Sequence, residues 1–108
     1  MTGDLRFVYM TAGSEDEARM IGRTLVEERL AACVNLIDGI TSIFRWEGRV
    51  QSEAETVLIA KTTETLVGPL TDRVKALHSY DCPCVVSLAL DGGNDDFLSW
   101  ISDQTKTH

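Results

Sequence analysis

The chain has 108 residues, 44% of them hydrophobic, and its 10 Lys and Arg against 17 Asp and Glu give a net charge of −7. That length suits one domain over residues 1–108, with enough surface buried on folding to make a core without disulfide or metal staples. The negative balance repels phosphate backbones and anionic lipid, and no apolar run approaches the roughly 18 residues that cross a bilayer, so neither nucleic acid nor a membrane is an expected partner.

The start, Met1-Thr2-Gly3-Asp4, has no basic region followed by an apolar stretch, so no signal peptide and a cytoplasmic location are expected. Leu5 to Met10 is rich in aromatic and branched residues and reads as a strand. Ser14-Glu15-Asp16-Glu17 forms a capping box, and behind it Ala18, Ile21, Gly22 and Leu25 recur on one helical face. Cys33 to Ile37 reads as a second strand, interrupted at Asp38-Gly39 by a turn or bulge. Ile40 to Glu47 resumes the extended pattern until Gly48 ends it.

After a polar stretch, Thr56 to Thr62 is almost continuously apolar and pairs back as an antiparallel hairpin. Thr63 is placed to cap a helix carrying Leu66, Leu70, Val74 and Leu77, which either begins at Pro69 or kinks there. Cys84 to Leu90 reads as the fourth strand, entered through Pro83. Asn94 is a natural N-cap for a last helix lined by Phe97, Leu98 and Ile101.

The order β-α-β-β-α-β plus a terminal helix specifies an α+β, ferredoxin-like antiparallel sheet with helices on one face. Right-handed crossovers put strands one and three inside and strands two and four at the edges. Ile40, Ile43, Phe44 and Trp46 then make a long apolar edge strand with few charges to block pairing, which predicts a homo-oligomer.

This topology brings Met10, His78, Cys82 and Cys84 to one end of the molecule, with the Trp46-Glu47-Gly48 tip toward it and Lys61 at the other end. Thioether, imidazole and thiolates are soft and borderline donors that suit copper or zinc. The spacing His78-x₃-Cys82-x-Cys84 is not that of a zinc finger, however. Each residue also has a plainer reading. Met10 fills a core, Cys33 and Cys84 are core thiols, and His78 caps the last carbonyls of its helix. The odd cysteine count argues against a disulfide framework. No phosphate loop, His-Glu-x-x-His helix or nucleophile–base constellation appears, so catalysis is not expected.

Leu25-Val26-Glu27-Glu28-Arg29-Leu30-Ala31-Ala32-Cys33-Val34-Asn35 runs into Gly39-Ile40-Thr41-Ser42-Ile43-Phe44-Arg45-Trp46-Glu47-Gly48. Lys61-Thr62-Thr63, His78-x-Tyr80-x-x-Pro83 and Gly93-Asn94-x-Asp96-Phe97-Leu98-x-Trp100-Ile101 follow in register. Over nearly its whole length the chain resembles the CutA family of divalent-cation tolerance proteins. The resemblance implies a ferredoxin-like subunit in a homotrimer, a cytoplasmic protein and a link to copper (Cu(II)) and other divalent cations; the size of the core predicts that no metal is required for folding. It also implies a trimer similar in architecture to the PII signalling proteins, which suggests a second role as a non-enzymatic signalling or scaffold trimer. Arg45, Trp46, Lys61 and Tyr80 would line its inter-subunit clefts.

The family's metal positions carry over in part. Its cysteine at the end of strand one is Met10 here, its adjacent histidines are Leu77 and His78, and its Pro-Glu is Pro83-Cys84. Only His78 survives of the family's own donors, and the metal-binding reading is a copper or zinc site of His78 with Met10, Cys82 or Cys84.

Overall fold

Apolar alternation and helical periodicity produce the elements in the expected order in a computed structural model that describes residues 4–106. Residues 1–3, read above for the absence of an export signal, and residues 107–108 lie outside the described residues. The elements are β1 (Leu5–Ala12), α1 (Glu15–Glu27), β2 (Cys33–Trp46), β3 (Arg49–Thr63), α2 (Val67–Leu77), β4 (Val85–Ala89) and α3 (Asp95–Gln104). They form one antiparallel sheet in the order β2-β3-β1-β4, with the first and third strands inside. No helix among the described residues is long and apolar enough to cross a membrane.

Val8, Met10, Ala12, Leu58 and Ala60 pack from the sheet against Ala18, Ile21 and Leu25 of α1 and Leu70 and Val74 of α2. Alternation along the strands sends Phe7, Tyr9, Ile37, Ile59, Val86 and Leu88 to the opposite face. There Ile37 is 50% exposed, Val86 54% and Leu88 59%. A second cluster joins Leu98 and Ile101 of α3 to Leu5 and Ala32, while Phe97 is exposed and stacks on Trp100 instead of lining the core.

Three local readings are refined. The Asp38-Gly39 break is a bulge, with the register shifting between Ile37 and Ile40 and Gly39 at φ 72°. The Thr56 hydroxyl donates to Asp38 at 2.8 Å, and with the Gly39 amide it holds that carboxyl below its usual range. β3 begins at Arg49, not at Thr56, because the polar stretch pairs residue for residue with Ile40–Trp46. It lacks an apolar signature because most of it is exposed. The second helix starts at Val67, after a 3₁₀ turn over Glu64–Leu66. Pro69 falls in its first turn, where an amide has no intrahelical partner, and Thr63 makes no capping bond from its side chain.

The hairpin of β2 and β3 runs well past the end of β1. Ala12 pairs with Thr56, and seven further residues lead to Arg49, an arm of about 23 Å at strand spacing. It accounts for the elongated outline of 45 × 26 × 22 Å.

Candidate functional site

The end of the molecule where β1 stops and β4 starts is built around His78. This residue follows α2, and its amide closes the helix on Val74 O at 2.9 Å. Its side chain is 1% exposed. The ring Nε2 lies 2.8 Å from Thr11 O, and the Tyr80 amide donates to Nδ1 at 3.0 Å. A carbonyl can only accept and an amide N–H can only donate, so the ring is a neutral imidazole with its proton on Nε2. Both nitrogens are engaged. His78 neither caps α2 through its ring nor offers a lone pair to a metal; it ties the end of α2 to the end of β1.

Glu17 completes this junction from α1. Ser14 Oγ accepts from the Glu17 amide at 3.1 Å, as a capping box requires. The carboxylate reaches back one residue further than expected, to the Gly13 amide at 3.2 Å, and also takes the Ser79 amide at 2.7 Å and the Ser79 hydroxyl at 3.1 Å. Burial raises its pKa, but the bonds from Ser79 and Gly13 outweigh this and hold it below the ordinary value. Tyr80 leans on the imidazole, ring centroids 4.6 Å apart, and donates its hydroxyl to Glu55 Oε2 at 3.0 Å. Burial, then the Glu55 carboxylate, pushes the phenol up to about 12.

The four residues read as metal donors are not gathered into one site. Met10 is 1% exposed and packs within the helix-side core, so its thioether is closed to solvent ions. His78 is committed to Thr11 and Tyr80. Cys82 and Cys84 are both exposed, which corrects the expectation that Cys84 packs in the core. It shares a strand face with Val86 and Leu88, and that face is the one α1 and α2 leave open. Partial burial of the Cys84 thiol, then the Glu55 carboxylate, raises its pKa. Cys33, expected in the core, is half-buried opposite Lys61. Among the described residues, no three His, Cys, Asp or Glu side chains stand close enough to hold a metal ion. The donor set carried over from the family therefore does not fit a resident divalent ion.

The cleft residues are spread along the chain. Arg45 and Trp46 pair with Val50 and Arg49 at the tip of the arm, whereas Lys61 is buried between Phe7 and Cys33 in the body, with its ammonium 5.7 Å from the Phe7 ring centroid. Twelve residues of β3 separate Arg49 from Lys61, about 40 Å. Only Tyr80 belongs to the His78 junction. Glu17 and Glu55, which organise that junction, were not singled out from sequence as site residues. The capping box marked Glu17, but only as a helix start, and Glu55 lay unmarked in the polar stretch.

Residues 6–104 match the family model described as CutA1 divalent ion tolerance protein. The divalent-cation tolerance protein CutA of Thermus thermophilus is 48% identical over 98 residues, covering 91% of this chain and 95% of that protein. The chloroplastic protein CutA of Arabidopsis thaliana is 43% identical over 99 residues, 92% of this chain but 54% of that protein, so the chain spans about half the length of such plant relatives. The crystal structure of CutA1 from Oryza sativa superposes with a TM-score of 0.95 at 40% identity, covering 100% of both chains. Sheet order, the long hairpin and these matches agree: the chain belongs to the CutA1 divalent ion tolerance family.

Proposed function

We propose that this chain is a cytoplasmic, non-enzymatic homotrimer that serves divalent-cation tolerance by responding to metal ions. The observation that carries the reading is the open sheet face. Ile37, Val86 and Leu88 present branched apolar side chains to water on a surface that a soluble monomer rarely leaves bare. Beside it, β2 is an edge strand fourteen residues long. Copies arranged in a closed ring cover both features, and three is the number the family resemblance implies.

Metal contact falls to the exposed thiols at the entry to β4, since Met10 and His78 are closed to it. The core is complete without an ion, so a chelator should leave the thermal midpoint unchanged. Calorimetric titration of Zn(II) into the reduced, metal-free protein, with sedimentation on the same sample, tests the reading. A trimer that binds zinc at micromolar concentration supports it, and a monomer indifferent to zinc overturns it.

The projecting arm favours a second reading, a signalling or scaffold trimer with a small molecule or protein in its clefts. Arg45 and Trp46 lie on the arm beyond the body of their own chain, where in a ring they would meet a neighbouring copy. That reading expects ligand-dependent protection of Arg45, Trp46, Lys61 and Tyr80 from hydrogen exchange and indifference to chelators.

A further inference from the structure

Two Asp-Gly dipeptides occur in the chain, Asp38-Gly39 and Asp91-Gly92, and the fold treats them in opposite ways. Aspartate followed by glycine is prone to close on itself. Glycine has no Cβ to hinder its amide nitrogen as that atom approaches the preceding carboxyl carbon, and its backbone turns freely. In a folded chain the outcome rests on how firmly the carboxyl and the amide are held.

Asp38-Gly39 is held. It lies at the bulge of β2, where the sheet continues on both sides. The buried Thr56 hydroxyl donates to Asp38 Oδ1 at 2.8 Å, and the Gly39 amide donates to the same carboxylate. An amide that points its N–H at an oxygen is a donor, not a nucleophile toward the carbon. These two bonds also lower the carboxyl's pKa, which keeps it ionised and without the hydroxyl that must leave as water.

Asp91-Gly92 is free. The Leu90 amide is tied to Leu5 O at 3.1 Å, and the next fixed point is Asn94, whose Oδ1 accepts from the Asp96 amide at 3.0 Å. Between them Asp91, Gly92 and Gly93 are exposed and belong to no helix or strand. Among the described residues, neither the Asp91 carboxylate nor the Gly92 amide makes a hydrogen bond. A Cβ built on Gly92 would meet nothing within 4 Å, so the fold leaves this dipeptide room to rearrange.

We propose that Asp91 is a site of spontaneous isomerisation to isoaspartate. The Gly92 amide nitrogen attacks Cγ of the protonated Asp91 carboxyl. An N–C bond forms, and the carboxyl hydroxyl leaves with the amide proton as water. Water then adds to the resulting succinimide at the former main-chain carbonyl, whose bond to nitrogen breaks, so the chain continues through Cγ. Nothing is oxidised or reduced, and the overall composition is unchanged. The product carries one extra methylene in the backbone between β4 and α3, beside the Leu90–Leu5 bond and the cap of α3. The inference rests on neither functional reading above.

The test ages the whole purified chain for weeks at physiological temperature and pH, folded and in urea, with Gly92→Ala beside wild type. Isoaspartate is counted by methyl transfer from S-adenosylmethionine with an isoaspartate methyltransferase, and located by mass-spectrometric peptide mapping. Circular dichroism checks the variant, whose added methyl has open space. In the folded wild type, isoaspartate should build up at Asp91 at least about tenfold faster than at Asp38, where a hydrogen bond to a charged group must break first. In urea the two rates should converge, and Gly92→Ala should lose most of the methyl acceptance. Folded wild type with as much isoaspartate at Asp38 as at Asp91 overturns the proposal. So does a folded chain that gains none at Asp91 while the chain in urea gains it at both, or a Gly92→Ala variant that accepts as many methyl groups as wild type.

Discussion

At the scale of single residues, the imidazole of His78 matters because it satisfies two main-chain groups at once, the part-buried Thr11 carbonyl and the Tyr80 amide. Thr11 O and the Tyr80 amide each lose their hydrogen bond in His78→Ala. Leaving the part-buried Thr11 carbonyl unpaired costs about 1–3 kcal/mol, while the exposed Tyr80 amide can turn to water, so the variant should be about 1–3 kcal/mol less stable in urea unfolding. Glu17 gives the same junction a pH dependence. Its folded pKa lies below the ordinary 4.5, so its stabilisation is complete above that value and is lost as pH falls through the lowered one. Glu28, held down by its bond to Arg73, and Asp38, held down by Thr56, act in the same direction. Stability measured between about pH 3 and pH 7 should therefore fall on acidification below about 4.5, and more steeply in wild type than in Glu17→Gln.

At the scale of elements, the ends of α1 and the tip of the arm show backbone demands answered in different ways. Arg29 sits at φ 60° after α1, where the Arg29 amide bonds Val26 O and the Leu30 amide bonds Leu25 O. This is a Schellman ending, usually given to glycine, and the arginine that holds it sends Nη1 to Gln104 O at 3.0 Å. At the arm, Glu47 (φ 51°) and Gly48 (φ 77°) form a two-residue turn of the I′ type, whose twist matches the strands it joins. Gly48→Val forces a β-branched residue into left-handed backbone. A loss of about 1–2 kcal/mol is expected, seen as faster hydrogen exchange at Val50 and its neighbours in the arm.

At the scale of the whole molecule, the sheet has one face closed by α1 and α2 and one face open. Val86 and Leu88 lie on the open face of the edge strand β4, and neither packs in the helix-side core. Val86→Asp combined with Leu88→Asp should therefore leave the subunit fold intact while dispersing the proposed trimer. Sedimentation velocity should move from a three-chain species to a single chain, with unchanged circular dichroism. A double variant that sediments as wild type does would place the subunit contact elsewhere.

Element order, sheet order and the helix-side core were legible in the sequence because each rests on short-range periodicity, the 3.6-residue stripe of α1 or the β alternation around Met10, together with the handedness of crossovers. The same patterns showed which residues reach the end where β1 stops and β4 starts. What that end does chemically was not legible. Whether His78 had a free nitrogen depended on Thr11, sixty-seven positions away, and on a tautomer that only the pair of main-chain partners imposes. The exposure of Cys84 depended on which face of β4 the helices leave open, a choice that alternation by itself cannot make. Glu17 and Glu55 became site residues only when folding brought Ser79 and Tyr80 to them. Local pattern is set along the chain and can be read there. Access, protonation and hydrogen-bond partnership are set between distant segments, and only the tertiary structure brings those segments together.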